Sequence, residues 1–251
     1  MLRIENLSKS FGGVVAMKNV SLDFPQGSLT AVIGPNGAGK TTFFNLISGH
    51  IRADSGRVIF DGEDVAGLSS LEIVRRGMCR AFQIAKVFPE MMLEESLTAA
   101  VASRRGEGLS LFGRFPGAAA RERAREIMEL VGLSHRAGAL SRNLSHGEQK
   151  LLDIALALAL DPKVLLLDEP TAGMGVEERW KMIDRVYSLW QAERTTLIFI
   201  EHDMDIVFKI AQTVRVLKYG TVLAQGTPDE IRRNQEVIDA YLGTDHGGEA
   251  A

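Results

Sequence analysis

A chain of 251 residues with 45% hydrophobic and 24% charged residues has the make-up of a globular protein, which excludes a disordered tail, a collagen and a disulfide scaffold. With 29 Lys and Arg against 32 Asp and Glu the formal charge is −3, so no general electrostatic pull draws it to nucleic acid or anionic lipid, and binding has to come from local sites. The single cysteine, Cys79, forms no intramolecular disulfide, which agrees with a reduced cytosol. The longest apolar run, Ile154 to Leu160, is far shorter than the about 18 residues of a membrane span, and Met1 to Glu5 lacks the apolar stretch of a signal peptide. A membrane role is therefore expected to pass through a partner protein.

In chain order, Leu2 to Glu5, Val20 to Phe24, Leu29 to Ile33 and Arg57 to Phe60 are short, β-rich and bounded by turn residues, which predicts a β-rich sublobe. From about Glu90 to Leu160 the pattern is mostly helical, with Ala124, Ile127, Met128 and Val131 recurring at i, i+3, i+4 and i+7. Gly106, Gly108, Gly113 and Gly117 interrupt that period between Arg104 and Ala120, a loop-rich excursion. Val164 to Leu167 predicts a buried parallel strand, Val176 to Gln191 a helix and Thr195 to Ile200 a second buried strand, which together make an α/β core. Val214 to Leu217 and Thr221 to Ala224 flank Lys218-Tyr219-Gly220 as a hairpin, Pro228 opens a helical stretch to Leu242, and Thr244 to Ala251 reads as a frayed polar tail.

Four segments carry chemistry. Gly34-Pro35-Asn36-Gly37-Ala38-Gly39-Lys40-Thr41-Thr42 fits the phosphate-loop pattern G-x-x-x-x-G-K-[ST], between a predicted strand and the apolar helix Phe43 to Ser48. There the glycines let backbone N–H groups curl toward phosphate oxygens, Lys40 reaches the β and γ phosphates, and the Thr41 hydroxyl suits Mg²⁺. The strand Val164 to Leu167 ends in Asp168-Glu169, an acid pair in which Asp168 suits the Mg²⁺ shell and Glu169 suits polarising an attacking water. Ser145 and Glu148 in Leu144-Ser145-His146-Gly147-Glu148 fit a helix capping box, read either as a cap alone or as an anion site at a helix tip. His202 follows the strand Thr195 to Ile200, on the edge expected for Asp168 and Glu169 if the strands are parallel. It reads as a sensor of a γ-phosphate or as a strand-end histidine bonded to a carboxylate.

These motifs, with Gln83 in Arg80-Ala81-Phe82-Gln83, resemble in identity and order the ATP-binding cassette family: Walker A at 34 to 42, a Q-loop glutamine at Gln83, the signature at 144 to 148, Walker B at 164 to 169 and a switch histidine at His202. The resemblance covers nearly the whole chain. It implies an α/β P-loop NTPase with a RecA-like core, an antiparallel β sublobe and an inserted α-helical subdomain at about 90–160, all within one nucleotide-binding domain over 1–243 followed by a flexible tail at 244–251. It also implies head-to-tail pairing with a second ATPase subunit, identical or not, so that Ser145 and Gly147 complete the γ-phosphate site across the interface. Phe11 is then the adenine-stacking aromatic, or else a core residue of the β sublobe; Asp168 and Gln83 join Thr41 around Mg²⁺, Glu169 is the general base, and His202 holds the γ-phosphate. Two positions depart from the family pattern: His146 stands at the first glycine of the signature, and Gly175 at the usual D-loop aspartate.

Softer signals narrow the group. Gly77 to Gln83 followed by Val87-Phe88-Pro89-Glu90-Met91, the Ala172-Gly173-Met174 turn, Glu201-His202-Asp203-Met204 and the ending Ala240-Tyr241-Leu242-Gly243 are similar to ATPase subunits of bacterial branched-chain amino acid importers, a group that also serves urea and short amides. That likeness implies integral membrane permease subunits as partners, with Phe88, Met91 and Met92 either facing the groove for a permease helix or packing in the core. It further implies a periplasmic or extracellular solute-binding protein acting indirectly, no nucleic acid, and a peripheral place on the cytoplasmic face of the inner membrane. The rival class, a cassette ATPase acting on ribosomes or DNA, is expected to show tandem cassettes, long coiled coils or a basic arm, none of which the sequence contains.

Overall fold

The computed structural model describes residues 1–81, 87–107 and 116–242. Gln83, the 108–115 part of the glycine-interrupted excursion and the 244–251 tail lie outside the described residues. In chain order the first elements are β1 (Leu2–Phe11), β2 (Val14–Phe24), β3 (Leu29–Ile33), α1 (Lys40–Ile47), β4 (Ser55–Phe60), β5 (Glu63–Asp64), α2 (Ser70–Arg76) and β6 (Met78–Ala81). Then come α3 (Leu93–Arg104), α4 (Ala118–Leu130), α5 (His146–Leu158), β7 (Val164–Asp168) and α6 (Val176–Glu193). The chain continues through β8 (Thr196–Ile200), α7 (Met204–Ile210), β9 (Thr213–Lys218), β10 (Thr221–Gly226), α8 (Pro228–Arg232) and α9 (Gln235–Leu242). These elements form two compact units, one made of Met1–Arg76 and Thr196–Ala251, the other of Gly77–Thr195.

The first unit contains two sheets. An antiparallel one in the order β2-β1-β4-β5 is the expected β sublobe, and its strands run longer than the sequence suggested. Leu2, Ile4, Leu22, Phe24, Val58 and Phe60 are buried, whereas Arg3 and Asp23 between them face out and Ile59 is half-buried, the period-2 pattern of a half-buried sheet. In the other sheet, β3 lies between β8 and β9 and runs parallel to both, with Thr30 opposite Ile198 and Thr213. All five residues of β3 and of β8 are buried, as befits strands covered on both faces. The expected hairpin joins β9 to β10 through Tyr219 and Gly220, at φ 49° and 74°, the doubly left-handed turn whose twist matches paired strands.

The second unit holds the parallel pair β6 and β7, in register from Met78 opposite Val164 to Ala81 opposite Leu167, together with α3 to α6. The helical stripe predicted around Ala124, Ile127 and Met128 is buried on α4. Cys79 is buried on β6, and burial pushes its thiol up to about 12 despite the nearby Arg104. Among the described residues no helix is long and apolar enough to cross a membrane.

Three local differences from expectation have local causes. The stretch from Pro228 to Leu242 is two helices, because the Asn234 side chain accepts the Val237 N–H at 3.2 Å and starts a new one. Helix α7 was not anticipated; its Asp203 cap accepts the N–H groups of Asp205 at 3.1 Å and Ile206 at 3.4 Å. Helix α2 was likewise missed, although the Glu72 carboxylate takes the Ser69 N–H at 2.9 Å in a capping arrangement.

Candidate functional site

The glycine loop of the first unit leaves the C-terminal end of β3 and becomes α1 at Lys40. Gly34 sits at φ +153°, and a Cβ there would be driven into the Leu217 carbonyl of β9, so the loop passes the sheet at backbone contact. The α1 cap, Gly39, supplies no side-chain bond to the first turn, which leaves backbone N–H groups for an anion. Lys40 is only 6% exposed, and its Nζ donates to the carbonyls of Gly34 at 2.7 Å and Pro35 at 3.1 Å, curling back over the loop it belongs to. Asn36, Gly37 and Thr41 are exposed, Thr42 is half-buried and Ala38 is buried.

The rest of the first unit frames this loop. Val32 pairs with Ile200 in parallel register, so Gly34 and His202, each two residues beyond its strand partner, leave the same sheet edge. His202 is exposed, and its backbone N–H donates to Glu201 Oε2 at 3.2 Å. Phe11 ends β1 opposite Val14 and is 47% exposed, which removes the reading of a core residue; Lys9 Nζ lies 5.4 Å from its ring centroid. Two residues past Val14, the Ala16 carbonyl abuts Gly39, where a Cβ would stand 2.8 Å away, so the β1–β2 hairpin reaches the loop. From α9 the Tyr241 hydroxyl meets the Gly34 backbone, which tempers a phenol that burial pushes up to about 12.

In the second unit β7 delivers Asp168 and Glu169 at its C-terminal end, as expected. Asp168 is buried and is bound by a residue that sequence reasoning passed over: Arg80, on the neighbouring strand β6, sets Nη2 against Asp168 Oδ2, with both side chains 6% exposed. Glu169 takes φ +50°, left-handed for a residue with a Cβ. Its carbonyl accepts the Ala172 N–H at 3.1 Å and Lys150 Nζ at 2.9 Å. The sequence signal for Arg80 is a charge set among Met78, Cys79, Ala81 and Phe82, whereas Lys150, between Gln149 and Leu151, carries no such signal.

Helix α5 starts as the capping box requires. Ser145 Oγ accepts the Glu148 N–H at 3.2 Å, and Glu148 Oε2 accepts the Ser145 N–H at 2.8 Å. Partial burial works against the Glu148 charge, but the Ser145 bonds, with Arg136 and His135 nearby, hold its carboxyl below the usual range. Gly147 is buried, with the Glu178 carboxylate of α6 standing over it. Gly175 caps α6 with no side-chain bond.

Comparison with known proteins gives the setting for these features. The family profile described as ABC transporter matches residues 17–172, and that described as Branched-chain amino acid ATP-binding cassette transporter matches 221–247. The chain is 37% identical over 250 residues to the high-affinity branched-chain amino acid transport ATP-binding protein LivG of Salmonella typhimurium, covering 97% of this chain and 98% of LivG. It is similar to the ADP conformation of MJ1267, an ATP-binding cassette of an ABC transporter, with a TM-score of 0.84 and 31% identity over 97% of this chain and 98% of that one. It is also similar to the dimeric post-hydrolysis state of the cassette MJ0796 bound to ADP and Pi, with a TM-score of 0.76 and 25% identity over 91% and 99% of the two chains.

Proposed function

This chain belongs to the ABC transporter family of ATP-binding cassettes and is an ATPase, and from that premise we propose that it energises the import of branched-chain amino acids through a separate membrane permease. The observation that carries the reading is the glycine loop with Lys40 folded over its own carbonyls. Nucleotide phosphates replace those carbonyls as partners of the ammonium, and the uncapped tip of α1 supplies N–H donors. Phe11 stacks on the adenine and His202 donates a hydrogen bond to the γ-phosphate. Glu169 accepts the proton of the water whose oxygen attacks the γ-phosphorus as the bond to the bridging oxygen breaks.

The resemblance assigns Mg²⁺ to the Thr41 hydroxyl, the Asp168 carboxylate and Gln83, all oxygen donors of the kind that ion prefers, with Asp168 held by Arg80 in this structure. Among the described residues no three His, Cys, Asp or Glu side chains form a metal cage. When bound, Mg²⁺ neutralises phosphate charge as the transferred group separates. Ser145 and Gly147 present the α5 tip to the nucleotide of a second cassette, a sister subunit or an identical one, so ATP holds the dimer shut and its hydrolysis releases it.

Coupling to a permease is supported by a groove of about 600 Å³ in the second unit, whose lining includes Met91, Met92, Thr98 and Ala99, with Phe88 exposed on the same segment. Two adaptable thioethers beside Glu94, Glu95 and Arg121 suit an amphipathic helical element of a partner. The chain then sits peripherally at the cytoplasmic face of the membrane, and a solute-binding protein acts only through the permease. Urea or short amides are the alternative cargo.

Two results test the proposal. Lys40→Ala weakens ATP binding at least about tenfold, since it removes the charge-assisted phosphate contact; titration with a fluorescent ATP analogue measures it. The chain co-purifies from membranes with a polytopic permease whose transport of leucine, isoleucine or valine it stimulates. Strong, salt-sensitive binding to RNA or DNA without such a permease would instead establish the nucleic-acid class.

A further inference from the structure

The signature helix and the loop carrying the general base are joined by one buried cation. Lys150, in the second turn of α5, is 3% exposed, and its Nζ donates to the Glu169 carbonyl at 2.9 Å and the Ala172 carbonyl at 3.0 Å. Water is a good solvent for an ammonium and the protein interior a poor one, so a lysine this deep is retained only where carbonyls or charges meet its N–H groups. The same helix touches the same loop a second time. His146 lies four residues before Lys150, on one helix face, and its Cε1 is 3.2 Å from where a Cβ on Gly173 would be, an approach left open by the glycine.

We propose that Lys150 is a positioning residue for hydrolysis: it makes the start of α5 and the 169–173 loop one body, so that α5 reports the nucleotide at its tip to this chain's own general base. The proposal rests on the reading above, in which Glu169 is the base and Ser145 and Gly147 face the nucleotide of a second cassette. Glu169 is held at φ +50°, where a residue with a Cβ stays only if its surroundings fix it. Two donors on its carbonyl, Lys150 Nζ and the Ala172 N–H, set the plane of the following peptide and so hold the backbone from which its side chain departs. A general base has to stand within hydrogen-bond reach of the attacking water, and a displacement of about 1 Å costs on the order of 100-fold in rate. A shift of the α5 tip as the dimer closes is therefore felt directly at the catalytic carboxylate. His146, at the first glycine of the usual signature, widens the same contact.

The test compares Lys150→Met, Lys150→Arg and Glu169→Gln in the full chain with its cassette partner. Expected for Lys150→Met is a fall in kcat of about tenfold or more, with the Kd for ADP within about twofold of wild type, because the phosphate loop is untouched. The Hill coefficient for ATP drops toward about 1, and Lys150→Arg, which keeps the buried charge and N–H donors, restores most of both. A purely structural lysine would lower the melting temperature without separating kcat from ADP affinity or removing cooperativity. If Glu169→Gln turns over ATP like wild type, the underlying assignment of the base fails. If Glu169→Gln is inactive while Lys150→Met keeps its kcat and Hill coefficient, the Lys150 proposal alone is overturned. Should Lys150→Met not fold, hydrogen exchange on the Glu169→Gln protein decides: ATP has to slow exchange at 146–150 and 169–173 together, and protection confined to 146–150 overturns the coupling.

Discussion

Glu169→Gln slows ATP hydrolysis by roughly 100- to 10,000-fold, the contribution of a positioned general base, while ATP still binds and still assembles the dimer. Glutamine keeps the length of the side chain and its hydrogen-bond reach but takes no proton, so water is held and not activated. The backbone supports this separation. The conformation of residue 169 is imposed through its carbonyl, by Lys150 and Ala172, and the side chain contributes nothing to those bonds. The variant therefore folds with the same loop, and single-turnover phosphate release measured beside ATP-dependent light scattering separates chemistry from assembly. Turnover within about threefold of wild type would place the base elsewhere.

Arg80→Met destabilises the nucleotide-free chain by about 3–5 kcal/mol, the usual penalty when one member of a buried ion pair is removed and the other stays charged. Arg80 on β6 stands opposite Leu166, two residues before Asp168 on β7, and both side chains are nearly closed to water, so Asp168 has little solvent to fall back on. Denaturant titration measures the loss. Arg80→Met combined with Asp168→Asn recovers most of it, because the amide carries no charge into the same site. A loss below about 1 kcal/mol for the single variant would mean that water reaches the pair, as at an exposed surface bridge. Asp168 is also the carboxylate assigned to Mg²⁺, so stability without nucleotide, and not turnover, isolates the role of Arg80.

What the sequence disclosed depended on how local each signal was. Gly34 to Thr42 is legible because phosphate binding by a loop needs glycines, a lysine and a hydroxyl at fixed spacing, and β3 and β7 are legible because strands buried on both faces read as unbroken apolar runs. The Ser145 cap is equally local, with both of its bonds closed within four residues. Arg80 and Lys150 were not legible, because their partners lie 88 and 19 to 22 residues away and only folding reveals that their charges are buried. The missed helix α2 is a different case, since Ser69 and Glu72 spell a local cap that the short run after it did not draw attention to.

The position of β3 has a consequence for the birth of the protein. Its residues are made early, yet both of its ladder neighbours, β8 and β9, begin at Thr196 and Thr213, and the Tyr241 hydroxyl that meets Gly34 is made later still. A ribosome therefore extrudes the phosphate-gripping peptide with the β1–β2 hairpin already made but long before either of its ladder neighbours. Contacts of such sequence separation close slowly. The sheet that carries the phosphate loop, and its contact with α9, are therefore completed only when β8, β9 and α9 have been made, near the end of synthesis.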